Sequence, residues 1–357
     1  MVRLVATVVL TWNDWYVYKD TTEIPDPLWS DHALFKSSLG NYSNWDPVTI
    51  EQQIRWLDQA GIDVALIACN YNQTDLVLLF LDKAQELNAK VKIAIWFNGS
   101  NFTANTNLVL EGIKNAGDAV FNHPWYAKLD GRYIVSGYLK QPGQGWHLEY
   151  WKECKDEYPQ LSIWACGWHP NYWETLDGVV DVMIPWCTER NSIAEINAMY
   201  NAAQQWKKQP YNGYGVTPGF DASGLRNPTS PRIVNRRDGQ WYIEQWQNIK
   251  NLVPQPDIIM PPTLNDAGEG HTIQDNVESR SSTTNFQPFG VKYLNLTKTL
   301  GDAWKGITPT PLLATFSLAA IGGGIGYASK PEKPLTHMLV GAIILGTVGF
   351  IIDRLRS

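Results

Sequence analysis

Short apolar segments alternate with segments of helical periodicity along most of this 357-residue chain, and this alternation limits the fold more than any other feature. Eight segments predict buried strands, because each is a nearly continuous apolar run of strand length. They are residues 1–10, 62–69, 91–98, 132–138, 161–168, 179–186, 213–221 and 257–262. Strands separated by helices at this spacing predict βα units and a parallel sheet. Eight such strands close a (β/α)8 TIM barrel.

The segments between the strands carry the helical pattern. They are residues 49–60, 74–88, 106–116, 146–157, 192–206 and 240–252. Before the first of them, Asp46 and Pro47 predict a capping side chain and a proline in the first turn. An open doubly wound sheet is the alternative, but it requires a phosphate-binding glycine loop after an early strand, and the sequence has none. We therefore assign residues 1–305 to one barrel, with residues 17–46 as a long loop over its mouth.

Tryptophan and tyrosine are unusually abundant, with 17 Trp and 16 Tyr against 10 Phe. Their flat apolar faces and polar edges suit interfaces and sugar rings, although many such side chains simply fill a barrel. The formal net charge of −6 gives no electrostatic support for a nucleic-acid partner. Cys69, Cys154, Cys166 and Cys187 have no metal-ligand spacing, and we expect buried free thiols instead of disulfides.

Polar and aromatic side chains gather at the carboxyl ends of the predicted strands. These ends carry Trp12, Asn13, Asp14, Asn70, Tyr71, Asn98, Tyr138, Trp168, Trp186 and Asp221. Any one of them alone is explained as well by a side chain that caps a loop. Together they lie at the face where α/β barrels place their chemistry, and they predict a carbohydrate pocket. Sugar hydroxyls need amide and carboxylate partners, and sugar CH faces need aromatic platforms. No cofactor is predicted.

The segment after the last strand concentrates the chemistry. Asp266 and Glu269 stand three residues apart in a glycine-containing loop that follows an apolar strand. Paired carboxylates in such a loop suit general acid/base work on a glycosidic bond. The segment alone is equally consistent with a polar turn whose acids cap the next helix. A metal site built from these acids with His271 and Asp221 is the weaker alternative, because paired-histidine spacing is absent, and we predict no metal.

Three motifs, in this order, resemble the glycoside hydrolase family 99-like barrels, the group that contains endo-α-mannosidases. Residues 121–132 (FNHPWYAKLDGR) resemble the family's segment before strand four. Residues 217–223 (TPGFDAS), followed by Arg226, resemble its Pro-Gly-aromatic-Asp segment before an arginine. The family's last-strand motif has Asn-Glu, two residues, Glu-Gly and a short run ending in Ile-Glu. Here it reads Asn265-Asp266-Ala267-Gly268-Glu269-Gly270-His271-Thr272-Ile273-Gln274, and the resemblance as a whole covers residues 3–304.

The resemblance implies a glycosidase that uses both motif carboxylates. Glu269 matches the family's general acid, which protonates the departing oxygen. Asp266 matches the base that deprotonates the sugar's own 2-hydroxyl in a retaining displacement. We add Asn265, His271 and Arg226 to the predicted substrate-binding residues.

The chain departs from the family's motif at two places. Asp266 stands where the family has Glu, which shortens the side chain by one carbon–carbon bond, roughly 1.5 Å. Ala267 and Gly268 replace a bulky pair, so we expect the substrate contacts to differ. The stereochemical outcome depends on the separation of the two carboxylates, which the sequence does not give.

The carboxyl-terminal region predicts a membrane anchor. A proline-marked linker (306–311) precedes two apolar runs joined by a turn, which we assign to a transmembrane helical hairpin (312–352), and a basic tail (353–357) follows. Gly and Ala faces would let the two helices pack, which explains the glycine run 322–326 better than a nucleotide loop does. A helical pair packed on the barrel is the alternative, but the runs lack a polar face. Basic residues flank the hairpin on both sides, so its orientation stays open.

Location follows from the hairpin and from the amino terminus. The apolar start has no small-residue cleavage site after it, so we expect a first strand there instead of a signal peptide. In a host cell this would keep the barrel in the cytoplasm, whereas a virus could display it outward. Five glycosylation sequons, at Asn41, Asn72, Asn98, Asn101 and Asn295, favour display at a cell or virion surface.

Three functions remain open on these residues. The favoured one is a membrane-anchored, endo-acting, α-mannosidase-like glycoside hydrolase that cleaves surface or envelope polysaccharide. The second is a glycan-binding or receptor-binding surface protein, such as a virion spike, without turnover. The third is a structural membrane protein. The expected partners are a glycan and the lipid bilayer, with no nucleic acid, while a homo-oligomer and capsid or envelope partners stay open.

Overall fold

The computed structural model describes residues 2–11, 35–39, 42–97, 107–139, 148–167, 178–205, 210–221, 233–266, 269–279 and 288–307. Within them, all eight predicted barrel strands are present, and every neighbouring pair is parallel. They are β1 (Leu4–Leu10), β2 (Val64–Cys69), β3 (Lys92–Phe97), β4 (Arg132–Leu139), β5 (Leu161–Gly167), β6 (Val182–Pro185), β7 (Tyr211–Gly215) and β8 (Ile258–Met260). β1 pairs with both β2 and β8, so the sheet closes on itself. The predicted eight-stranded parallel barrel is confirmed.

Seven α-helices surround the barrel in the part of the chain that the structure describes. They are α1 (Pro47–Gln59), α2 (Thr74–Glu86), α3 (Leu108–Phe121), α4 (Leu148–Glu157), α5 (Ile193–Gln204), α6 (Gln240–Ile249) and α7 (Lys292–Lys305). The first six coincide with the segments of helical periodicity. The seventh is not among the predicted helices. It buries Tyr293, Leu296 and Leu300 on one face and packs against α1 and α6, which closes the ring of helices.

Local chemistry explains where α1 begins and where α3 bends. The carboxylate of Asp46 accepts hydrogen bonds from the N–H groups of Val48 and Thr49 at 3.3 and 3.2 Å, and Pro47 occupies the first turn. This is the cap that the sequence predicts. α3 runs five residues past its predicted end at Ala116, through a kink at Gly117, whose φ of 51° breaks the helical geometry.

One predicted strand is interrupted. The segment 213–221 divides into β7, which ends at Gly215, and a short strand, Phe220–Asp221, that pairs antiparallel with Ile233–Val234. Pro218 lies at the break and has no N–H to offer a strand ladder. The consequence for the site is that Asp221 lies outside the barrel wall.

A second pair of short strands joins the predicted loop 17–46 to the end of the barrel. Phe35–Ser37 pairs antiparallel with Asn276–Ser279. Residues 17–34 and 40–41 of that loop lie outside the described residues.

The four cysteines are buried and free, as predicted. Burial raises the pKa of the Cys154 and Cys187 thiols to about 12. Both are therefore uncharged at neutral pH and behave as small apolar side chains.

No helix in the described ranges is long and apolar enough to span a bilayer. The predicted hairpin (312–352) and basic tail (353–357) lie outside those ranges, so the membrane anchor stays a prediction. α7 ends at Lys305, and Gly306 caps it with a φ of 75°.

Candidate active site

The loop that follows β8, residues 261–275 and hereafter the β8 loop, is fixed to the end of β1. Leu264 N–H donates to the Val8 carbonyl at 2.7 Å. The loop then returns to its own start, because Ile273 N–H and Gln274 N–H donate to the Leu264 carbonyl at 3.1 and 2.8 Å. These bonds hold both ends of the loop at the carboxyl end of the barrel strands, the face where α/β barrels carry their chemistry.

Asn265 joins the same loop to β1 through both halves of its amide. Leu10 N–H donates to Asn265 Oδ1 at 2.8 Å, and Asn265 Nδ2 donates to the Leu10 carbonyl at 2.9 Å. The side chain is fully buried. In this structure the amide of Asn265 extends the main-chain bonding of β1 and positions the residue that follows it, and its predicted role in substrate binding stays a prediction.

Asp266, Glu269 and His271 form a hydrogen-bonded group, hereafter the Asp–Glu–His cluster. His271 Nε2 lies 3.2 Å from Asp266 Oδ2 and 3.2 Å from Glu269 Oε2. The main-chain N–H of Glu269 donates to Asp266 Oδ1 at 2.8 Å. The side chains of Asp266 and Glu269 are 8% and 18% exposed, so Glu269 is the more accessible of the two carboxylates.

Burial and charge act in opposite directions on His271. Burial by itself lowers the pKa of the imidazole, because a charged ring loses its hydration. The carboxylates of Asp266 and Glu269 outweigh that effect and place the pKa of His271 above its ordinary value. The cluster therefore favours the protonated form of His271.

Aromatic rings surround the imidazole and extend across the barrel. The His271 ring stacks on Phe220, with centroids 6.0 Å apart and planes at 13°, and it meets Trp186 edge to face at 6.0 Å. Trp186 in turn contacts Tyr138 at 4.8 Å and Trp96 at 6.0 Å. Trp96 lies on β3, Tyr138 on β4 and Trp186 directly after β6, so these three rings form an aromatic group inside the carboxyl end of the barrel, beside the cluster.

Arg236 supports the far side of the β8 loop. Its Nη2 donates to the carbonyl oxygens of Gly270 and Thr272 at 2.8 and 2.9 Å, the two residues that flank His271. The guanidinium lies against the rings of Phe289 and Tyr293, 4.3 and 4.4 Å from their centroids, and the two rings also contact each other edge to face. Arg236, from the segment before α6, and Tyr293, near the start of α7, thus help to hold this part of the β8 loop in place.

Asp221 contacts the loop through the main chain. Its N–H donates to the Glu269 carbonyl at 2.9 Å, and the residue is fully buried. Gly270 fits against it with a φ of 66°, and a Cβ at position 270 would lie 3.2 Å from the Asp221 nitrogen. Glycine is required here by the positive φ and by this close approach.

The cluster is also the group of side chains in the described residues whose donor atoms come close enough for one ion, all within 4.8 Å of one another. A proton on His271 Nε2 already satisfies this arrangement, because the nitrogen lies at hydrogen-bonding distance from both carboxylates. We therefore describe it as a hydrogen-bonded cluster. The prediction that no metal is bound stays a prediction.

The fold as a whole resembles solved glycosidase structures. The GH99 endo-α-mannosidase of Bacteroides thetaiotaomicron superposes with a TM-score of 0.68 over 86% of this chain and 98% of that chain, at 16% identity. Its complex with bis-tris propane gives 0.67 over 85% and 98%, also at 16% identity. The chain has a GH99-like TIM-barrel fold. A glycoside hydrolase-like protein gives 0.58 over 84% of this chain and 94% of that one, at 16% identity. No protein-family model matches the chain.

In this GH99-like barrel, the predicted site residues fall into three groups. The cluster brings together Asp266, Glu269 and His271, with Trp186, Tyr138, Asp221 and Asn265 in the contacts given above. Asn70 and Tyr71 follow β2 at the same end of the barrel and are half-buried. Outside the described residues lie Trp12, Asn13, Asp14, Asn98, Trp168 and Arg226.

His271 is 1% exposed and faces both carboxylates of the cluster, and its predicted role in substrate binding stays a prediction.

Three contact residues are absent from the sequence prediction: Arg236, Thr263 and Phe220. Thr263 Oγ1 lies 2.9 Å from His271 Nδ1 and accepts the Asp266 N–H at 3.2 Å. Phe220 belongs to a motif that carries the family resemblance, which is a usable signal. Arg236 carries no local signal, because its contacts depend on how distant segments meet, whereas Thr263 contacts residues three and eight positions further along the same loop.

Proposed function

We propose that the protein is a glycoside hydrolase that cleaves a glycan with Asp266 and Glu269. One observation carries this proposal: the two carboxylates lie together at the carboxyl end of the last strand of a GH99-like barrel, with one oxygen of each within 4.8 Å of the other. The aromatic group at the same end offers faces for sugar rings. The glycosidase-like fold rests on the likeness to solved structures, whereas the activity is our inference.

Glu269 is the proposed general acid, and Asp266 is the proposed base. Asp266 accepts the Glu269 N–H at 2.8 Å and faces His271 Nε2, and both donors stabilise its ionised form. Glu269 is the more exposed carboxyl, so it is better placed to give a proton to a departing oxygen.

The reaction we infer proceeds in two balanced steps. Asp266 takes the proton of the sugar's 2-hydroxyl, the resulting oxygen bonds to the anomeric carbon, and the glycosidic bond breaks as Glu269 protonates the departing oxygen. Water then attacks the anomeric carbon, gives its proton to Glu269, and the 2-oxygen recovers its proton from Asp266. Both residues end in their starting states.

The carboxylate separation supports retention of configuration. Inverting glycosidases keep their carboxyl groups about 6.5–9.5 Å apart to admit a water molecule, whereas retaining ones need only about 5–5.5 Å. The facing atoms of the two carboxylates lie within 4.8 Å of each other, which is closer than the separation that inverting enzymes use, and this supports retention.

We take the substrate to be an α-mannoside cleaved at an internal linkage. The support is the likeness to the B. thetaiotaomicron endo-α-mannosidase, combined with the last-strand motif. The chain departs from the family's motif at Ala267 and Gly268, so a panel of α-linked mannans and other polysaccharides is the appropriate screen.

The test compares the full chain with Glu269→Gln and Asp266→Asn on that panel. We expect each variant to lose about 10²–10⁴ in kcat. Asp275→Asn is a matched control, because Asp275 lies on the same loop outside the cluster. If Glu269→Gln hydrolysed the panel as fast as the unmodified chain, the proposal that Glu269 is the general acid of a glycoside hydrolase would be wrong. Binding without cleavage by the unmodified chain would favour the glycan-binding surface protein instead.

We also propose that residues 312–352 anchor the barrel to a membrane, with the barrel displayed at a cell or virion surface. The support is the length and apolarity of the two runs in the sequence. Flotation of the full chain with lipid vesicles, compared with a chain ending at residue 307, tests the anchor. Equal recovery of both chains in the unbound fraction would contradict it.

A further inference from the structure

His271 is buried between two acids and yet makes ordered contacts on every side. It is 1% exposed, and its Nε2 is equidistant, at 3.2 Å, from Asp266 Oδ2 and Glu269 Oε2. A bare nitrogen lone pair facing two carboxylate oxygens at that distance would be strongly repelled. The geometry therefore favours a proton on Nε2 over a bare lone pair.

The other ring nitrogen decides between a neutral and a charged imidazole. Nδ1 lies 2.9 Å from Thr263 Oγ1, and that oxygen also accepts the Asp266 N–H at 3.2 Å. If Thr263 donates to Nδ1, the ring is neutral. If Nδ1 donates to Thr263, the ring carries protons on both nitrogens and is an imidazolium.

The surroundings favour the imidazolium. Asp266 and Glu269 face the ring from its own loop, and Arg236, from the segment before α6, opposes them from the other side of the loop. Phe220 stacks on the imidazole with its ring centroid 6.0 Å away and so presents a face that attracts a cation, and the ring of Trp186 lies at the same distance.

We propose that His271 is a positioning residue that carries a positive charge in the resting site and keeps Asp266 ionised while Glu269 holds the reaction's proton. The charge acts on both carboxyls, but Asp266 also accepts the Glu269 N–H, so a single proton shared between the acids stays on Glu269. One positive and one negative charge then remain in the cluster, which is a balance that a buried site tolerates. The catalytic consequence rests on the proposed function, whereas the charge itself does not.

The first test measures that charge directly. Histidine-labelled full chain is titrated by NMR, and the His271 imidazole signal is assigned by its loss in His271→Gln. We expect both nitrogens to be protonated at neutral pH, with a midpoint above the ordinary value of about 6.5. In the double variant Asp266→Asn, Glu269→Gln the midpoint should fall. His123→Gln is the matched control, because His123 faces Asp82 at 3.4 Å on the opposite end of the barrel and should leave the His271 signal unchanged.

The second test measures the consequence for turnover. His271→Gln keeps an N–H donor but removes the charge, so ionised Asp266 loses its nearest cation. We expect the acidic limb of the kcat/KM profile to move to higher pH by about one unit. A residue with only a structural role would lower the rate at every pH without moving the limb.

The outcomes separate the two proposals. A midpoint for His271 at or below about 6.5 would overturn the inference, and so would an unmoved acidic limb in an active His271→Gln. A His271 ring without its second proton, together with Zn²⁺ binding to the full chain that is lost in His271→Gln, would identify a metal centre and also overturn it. Absence of hydrolysis by the unmodified chain would count against the proposed function, while the NMR titration, which needs no turnover, would still decide the charge of His271.

Discussion

The guanidinium of Arg236 lies 4.4 Å from the ring centroid of Tyr293, and this contact ties helix α7 to the loop that carries Glu269. The same side chain donates to the carbonyls on both sides of His271. A helix on the outside of the barrel is thereby connected, through one side chain, to the Asp–Glu–His cluster at the carboxyl end of the strands.

Arg236→Lys should disturb this link although it keeps the charge. A lysine ammonium cannot stack against these rings and also reach both carbonyl oxygens as a planar guanidinium does. We expect a loss of about 2–4 kcal/mol in the free energy of unfolding, from lost charge-assisted hydrogen bonds in a buried place. Denaturant unfolding measures it. Arg237→Lys is the neighbouring control, since Arg237 is exposed and paired with Glu244, and it should change stability by less than about 1 kcal/mol.

Gly270→Ala should destabilise the β8 loop for two separable reasons. A left-handed φ costs a non-glycine residue about 1–2 kcal/mol, and the new Cβ would lie 3.2 Å from the Asp221 nitrogen. Gly131→Ala isolates the first cost, because Gly131 has a φ of 76° and nothing lies within 4 Å of its added Cβ. We expect Gly270→Ala to lower the melting temperature more than Gly131→Ala. Equal shifts would show that the contact with Asp221 is unimportant.

Stability should depend on pH through His271. Its pKa is raised in the folded state, where the two carboxylates outweigh burial. A raised pKa means that the folded chain binds the proton more tightly than the unfolded chain does. The stabilisation is fully present below about pH 6.5, the unfolded value, and is lost as the pH rises through the folded value. Melting curves from pH 5 to 9 should show this decline, and His271→Gln should reduce it.

Much of the fold follows from the sequence, because local patterns of apolar, proline and glycine residues indicate which segments are buried and where strands and helices end. The run Val64–Cys69 is apolar throughout and is buried throughout as β2. The signal for the interruption at Pro218 is also local. Apolar residues on both sides of Pro218 predict one continuous strand, but proline has no N–H for the strand ladder, and two separate strands form.

The candidate site is predictable only in part. Asp266 and Glu269 lie within one motif, so their neighbourhood follows from the sequence. Arg236 stands 34 residues from Gly270, and its contacts with Phe289 and Tyr293 depend on where α7 returns to the barrel. Residue type and strand position also do not show whether a polar side chain faces a ligand or holds its own loop in place. His271, for example, is buried against two carboxylates.

Asn265 allows that last distinction to be tested. Asn265→Asp keeps the acceptor for the Leu10 N–H but replaces the donor to the Leu10 carbonyl with a negatively charged oxygen at about 2.9 Å. If the residue positions the loop, this change should cost about 2–4 kcal/mol of stability, because a buried charge and an unpaired carbonyl are left together. Asn251→Asp, at an exposed position, should be nearly neutral. Differential scanning calorimetry of the two variants measures the contrast. If Asn265→Asp left the melting temperature unchanged but weakened glycan binding, the predicted substrate-binding role of Asn265 would be supported instead.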